Sequence, residues 1–273
     1  MSVFRQAALY LLVALPAVAQ AQAFAKITIR PARSADRRVR LQMLPNGDLI
    51  ATAVPVIMLL SYAYDVPVNP SPRLSPLPDW TVRDRYDIEG KAPANTINPS
   101  LQDSEARSRI QQMIRGLLAD RFRLVTRTKN KTMLVYALTV ASGGPKLEKS
   151  AITEKDCIFD TDPEGCHGFV AGFGHPLNAK AIDMDDLAHY IENWTDLPVV
   201  NRTALSGLYA VNTEGWLPVR LPPPPPNATP DANRFAGLPT IFTVLGKLGL
   251  ELNRQEDILP VYTVERIERP AAN

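Results

Sequence analysis

Between the two cysteines of the chain, Cys157 and Cys166, stand Asp160, Asp162, Glu164 and Gly165, and His167 follows directly. Carboxylates at alternate positions ahead of a glycine imitate the opening of a calcium loop. There, oxygen ligands at the first, third and fifth positions suit a hard cation, and glycine at the sixth permits a sharp turn. Asp160, Asp162 and Glu164 are therefore the candidate metal ligands, with calcium as the ion. The imitation then stops. Ala171 stands at the twelfth position, where a bidentate glutamate belongs, Pro163 stiffens the middle, and PKLEKS rather than a helix leads in. The cysteines are too far apart for a C-x-x-C redox pair. In an oxidising compartment, two cysteines nine positions apart around a turn pair with each other, so a disulfide-stapled loop is expected, with no other cofactor.

The remaining chemistry is sparse. A zinc site of three histidines would consume His167, His175 and His189, whose spacings of 8 and 14 match no H-x-H or H-x-x-x-H pattern. His167 and His175, beside the acidic loop, are kept as candidate site residues. His189 falls off the apolar stripe of its helix and is expected at the surface. No G-x-S-x-G elbow exists, and Ser142 in ASGGP and Ser206 in LSGLY are turn serines with no histidine nearby in sequence. A triad assembles in space, so the missing motif alone does not remove it. GFVAGFG (168–174) lacks a Walker lysine and the tight glycine spacing of a dinucleotide loop. RFRLVTRTKNK is locally basic, but strand alternation reads it as a solvated sheet face.

The elements that must position these residues follow a leader. Arg5, the apolar run Ala7 to Val18 and alanines at A-x-A spacing give residues 1–23 the grammar of a secretory signal peptide. The run is shorter than the roughly 20 residues of a membrane span, and no later segment approaches one. A periplasmic or secreted protein is expected. Removing Arg5 leaves 29 basic against 28 acidic residues, a balance that argues against nucleic-acid binding.

The mature chain repeats its order of segments. ATAVPVIMLLSYAYDVPV leads to DRYDIEGKAP, and AKAIDMDDLAHYIENWTDLPVV leads to SGLYAVNTEGWLP. GLLADRFRL parallels VLGKLGLEL, and MLVYALTV parallels LPVYTVERI, so Tyr86 aligns with Tyr209 and Tyr136 with Tyr262. Helical stripes run through Ile110, Met113, Ile114, Leu117 and Leu118, through Leu187, Tyr190, Ile191 and Trp194 behind an N-cap at Asp183, and through Ile241, Val244, Leu245 and Leu248 before a C-cap at Gly249. Pro55 suits the first turn of a helix over Val56 to Tyr64. FRLVTRT, LVYALTV, LYAVN and VYTVERI read as strands. The expected fold is α+β: two related strand-helix-strand-helix-strand modules, 24–150 and 179–273, joined by the cysteine loop 151–178. LPPPPPNATPDAN (221–233) is an extended proline-rich loop inside the second module.

These segments, with FAKITIRPA at the start and the run to QEDILPVYTVERIERP at the end, resemble a family of exported proteins expanded in soil acidobacteria, the Solibacter paralogous family, a domain of unknown function. The resemblance covers residues 24–270. Asn201 and Ala210 stand where the family pattern has acids, so an acidic pair in the second half is not implied. The family brings no catalytic residues, and some relatives carry the module beside a membrane-embedded sensor peptidase, which implies sensing or binding. Each half also resembles, at the level of fold alone, the short β-α-β modules of periplasmic secretin and receptor domains. The leading functional reading is an exported, envelope-associated binding or sensing module whose partner is an envelope protein or a small molecule. The alternative is a secreted hydrolase of esters or lactones, such as acylated lactone signals, assisted by calcium at Asp160 and Asp162.

Overall fold

The computed structural model describes residues 23–33, 38–69, 71–98, 100–159, 162, 164–170, 174–217, 219 and 237–271. The expected signal segment up to residue 22, Asp160 and the proline-rich loop 221–233 lie outside the described residues. The N-terminal part supplies β1 (Lys26–Pro31), β2 (Arg40–Met43), β3 (Leu49–Pro55), α1 (Val56–Tyr64), β4 (Leu74–Ser75), α2 (Trp80–Arg83), β5 (Arg85–Lys91), α3 (Asp103–Arg121) and β6 (Val125–Val140). The C-terminal part supplies β7 (Glu148–Lys149), β8 (Asn178–Ile182), α4 (Met184–Glu192), β9 (Val199–Asn201), β10 (Tyr209–Asn212), α5 (Ile241–Lys247) and β11 (Leu250–Arg266). These described elements make a mixed α/β fold with five helices and three sheets, ordered β1-β5-β3-β2, β7-β10-β8 and β4-β11-β6-β9.

Helix patterning sets the cores. In α3 the expected stripe of Ile110, Met113, Ile114, Leu117 and Leu118 is buried, while Asp103 and Glu105 in the first turn and Arg121 in the last complement the helix dipole. That stripe packs with α1 against the first sheet. A second cluster gathers α4, α5 and the inner ends of β6 and β11. Three local details differ from the pattern read in sequence. Pro55 is the extended residue before α1 rather than part of its first turn, at φ −73° and ψ 149°. Trp194 lies past the end of α4 and is half-buried, because the helix stops at Glu192. Leu248 caps α5 and is half-buried, whereas Ile241, Val244 and Leu245 go inside. Gly249 then reverses the chain at φ +70°, where a Cβ would meet the Gly144 carbonyl oxygen at 2.1 Å.

The long strands β6 and β11 pair antiparallel from Leu250↔Val140 to Arg266↔Val125 and run past both cores. Short strands flank this ribbon. Parallel to β6 lies β9, and the Tyr136 amide donates to the Pro198 carbonyl at 2.8 Å. Parallel to β11 lies β4, and the Tyr262 amide donates to the Arg73 carbonyl at 2.7 Å. Tyr86 on β5 sits opposite Val54, just before α1, and Tyr209 on β10 sits opposite Ile182, just before α4.

Candidate functional site

Cys157 and Cys166 form a disulfide, with Cα atoms 5.5 Å apart. The loop it closes is tied at both ends. On one side the Asp103 amide donates to the Cys157 carbonyl at 3.0 Å and the Phe159 amide to Leu101, which fixes the loop to the start of α3. On the other, Cys166 bridges to Ala181 and the His167 amide donates to the Ala181 carbonyl at 2.8 Å, which fixes it to β8 just before α4. The loop thus spans from one core to the other.

His167 sits where this tether ends, in the left-handed region at φ 56°, a conformation histidine adopts more readily than most residues. Its side chain is only 11% exposed. Nδ1 donates to the Asp186 carboxylate at 2.7 Å, and Nε2 faces the Glu154 carboxylate at 3.2 Å. Asp186 is itself fixed by a capping box at the start of α4. Its amide donates to Asp183 Oδ1 at 2.7 Å, and its carboxylate accepts from the Asp183 amide at 3.1 Å. The hydrogen bond that His167 donates to Asp186, opposed by burial and reinforced by the Asp186 charge and by Glu154, raises the His167 pKa from 6.5 to about 9. Burial, with the Asp186 charge beside it, raises the Asp183 carboxyl.

At neutral pH His167 is therefore an imidazolium donating from both nitrogens, which leaves it no lone pair for base catalysis. Its pKa is raised above the unfolded value, so its contribution to stability is fully present below pH 6.5 and is lost as pH rises through about 9. Glu154 is exposed and screens its share, so the expected contribution is about 2 kcal/mol. Urea titrations of the native protein and of His167→Gln should differ by that amount at pH 6 and converge by about pH 10. Curves that stay parallel from pH 6 to 10 would show that the imidazolium pairing does not form.

This ensemble forms one wall of a cleft of about 630 Å³. The opposite walls come from β2, α1 and α3, and the cysteine loop closes the back. Leu41, Met43, Met58, Tyr62, Phe159 and Phe169 give it an apolar floor. Arg107 on α3 reaches in from the first core and is paired with Asp103, which is 5% exposed. Asp65 and His189 close one end, 3.4 Å apart. Below them Val68 and Asn69 hydrogen-bond to Asn193, at 3.1 and 2.7 Å, and the Arg73 guanidinium meets Glu192.

A family described as "Protein of unknown function (DUF3738)" matches residues 57–267. The chain belongs to this family. No curated protein and no solved structure matches it.

Of the described sequence-predicted residues of this DUF3738 protein, Asp162 and His167 line the cleft and Glu164 and His175 do not. Asp162 lines the cleft, and its Oδ1 accepts from the Glu164 amide at 3.0 Å. Glu164 points elsewhere and pairs with Lys180 at 2.7 Å. His167 is at the cleft, whereas His175 is exposed and outside its lining. His189, expected at the surface, is half-buried at 35% exposure because the end of α1 docks beside it. Ser142 and Ser206 are exposed and outside the cleft lining. Sequence reading missed Glu154 and Asp186. The Asp183-x-x-Asp186 spacing was readable as a capping box, but its second use, holding His167, depends on a contact across 19 residues. Among the described residues, two groups bring metal-capable donors together, Glu154–Cys157–His167 and His167–Asp183–Asp186. In the first the sulfur is committed to the disulfide. In the second the carboxylates already serve the helix cap and the imidazolium.

Proposed function

We propose that this DUF3738 protein is an exported binding module of the cell envelope, and that the cleft between its two cores is the ligand seat. The carrying observation is the pairing of a roomy, apolar-floored cleft with a histidine whose two nitrogens both donate to carboxylates. Such a wall holds a shape and a charge pattern. Export is supported by the N-terminal leader pattern and by the disulfide. Among the described residues no helix is long and apolar enough to cross a membrane. We read the two halves as related modules that exchange a short strand each, with β4 of the first on β11 of the second and β9 of the second on β6 of the first. The matching amide bonds of Tyr136 and Tyr262 and the matching places of Tyr86 and Tyr209 support this reading.

The ester or lactone hydrolase reading requires a free base or an activated water in the same cleft. Purified mature protein should show no turnover of chromogenic esters or acylated lactones, with or without calcium. Filling the cleft by Met58→Trp should leave the fold intact by circular dichroism and remove binding of cleft-directed small molecules in a thermal-shift screen. Turnover above background that disappears in His167→Ala would overturn the binding reading.

A further inference from the structure

We infer that the cleft selects an organic cation with an apolar body, such as an alkylammonium group. The inference rests on the cleft being the ligand seat and names what it takes. Its ionisable lining is lopsided. Asp65, Asp162, Asp183, Asp185 and Asp186 face it, against Arg107, His167 and His189. The pairs formed there do not cancel the imbalance: Arg107 pairs with the buried Asp103, which is outside the lining, His167 is shared between Asp186 and Glu154, and His189 faces Asp65. Asp185 is exposed on the first turn of α4, and Asp65 is 70% exposed at the cleft end. Lining residues from β2 are Leu41, Gln42 and Met43, from α1 Met58, Ser61 and Tyr62, none of them charged, and the exposed Arg40 of β2 stands outside the lining. The excess is therefore negative, and low-dielectric walls focus it on the opening. Beneath that rim the floor is methionine and aromatic, a soft surface that accepts alkyl chains of varied shape and the faces of which attract ammonium groups. An inorganic ion would use the carboxylates but leave this floor in water; an apolar acid would use the floor but meet the rim as a like charge. An amine on an alkyl chain satisfies both. The same group arrives either on a free small molecule or as a lysine side chain in an apolar peptide.

Isothermal titration calorimetry of the mature, disulfide-intact protein with n-octylamine, octanoate and 1-octanol separates these cases. Octylamine should bind at least about ten-fold more tightly than either analogue, the margin of one charge-assisted contact. Asp65→Asn with Asp185→Asn, both at exposed positions and both isosteric, should remove most of that margin while octanol binding is unchanged. Raising salt from about 0.05 to 0.5 M should weaken octylamine alone. A blocked Leu-Lys-Leu peptide binding more tightly than octylamine assigns the cation to a partner chain and supports the inference; weaker binding assigns it to a small molecule and supports it equally. Octanoate or octanol matching octylamine, with all three lost in Met58→Trp, overturns the charge selectivity and leaves the ligand seat standing. Binding of calcium or zinc that is lost in Asp183→Asn, with no octylamine binding, overturns it in favour of an inorganic ion. No probe binding at all overturns the seat itself.

Discussion

Replacing Glu192 with alanine should destabilise the protein by about 3–5 kcal/mol, seen as a lower urea midpoint at unchanged m-value. Its carboxylate is 3% exposed and its partner Arg73 12%. Both carboxylate oxygens accept from the same nitrogen, Nη1, at 3.2 and 3.1 Å. Nη2 reaches the Asp65 carbonyl at 3.4 Å, and Nε is buried with no hydrogen-bond partner among the described residues. Burial is the largest influence on Glu192 and raises its carboxyl; the Arg73 charge works the other way. The pair is thus a desolvated one with imperfect geometry, and truncating either side strands a buried charge. Arg73→Met combined with Glu192→Leu should instead fall within about 1 kcal/mol of the native protein, since replacing both ions removes the desolvation penalty together with the attraction. A single-variant loss under about 1 kcal/mol would show that water reaches the pair. The pair also ties the segment after α1 to the end of α4, so the double variant tests whether cleft affinity needs the ion pair or only the packing it brings.

Repetitive local signals were legible in the sequence, and contacts across the chain were not. The α3 stripe from Ile110 to Leu118 appears as read, because an amphipathic helix writes its buried face at 3.6-residue spacing. Asp183 is the N-cap expected of it, because the capping preference is local chemistry. The Cys157–Cys166 bond is the one expected from the spacing and from the leader pattern. Asp162 and Glu164, read by their spacing as ligands of one ion, have different settings, Asp162 at the cleft and Glu164 on Lys180. Glu164 is drawn to Lys180 by the bridge that places Cys166 beside Ala181, a pairing that no loop motif encodes. The cleft was the least legible feature. Its walls come from β2, α1, α3, the cysteine loop and α4, and each contributes residues that read in sequence as ordinary surface or ordinary core. His167 illustrates the gap: its neighbours Asp162 and Glu164 attracted the metal reading, while the carboxylates that hold it are Glu154 and Asp186.

Leu117→Ala should cost about 2–5 kcal/mol, the range for deleting a buried leucine side chain without collapse of the site. Leu117 is 1% exposed in the middle of the first core, between Ile114 and Leu118, which are fully covered, and beneath α1. Its helix is long and held at both ends: the N-terminus is bonded to the cysteine loop, and the Phe122 and Leu124 amides both donate to the Leu118 carbonyl, each at 3.1 Å. Such anchoring limits relaxation into the cavity, which places the expected loss in the upper half of the range. Leu134 is the control. It is 46% exposed on the uncovered stretch of β6 opposite Glu256, and Leu134→Ala should change stability by less than about 0.5 kcal/mol. Chemical denaturation of both variants provides the comparison, and near-equal losses would mean that the ribbon face bearing Leu134 is covered in solution. A large loss at Leu117 alone, with octylamine affinity retained well below the melting temperature, would separate what α3 does for the fold from what its cleft-facing residues Arg107 and Gln111 do for the ligand seat. The two roles lie on different faces of one helix, so they are separable by mutation even though a single element carries both.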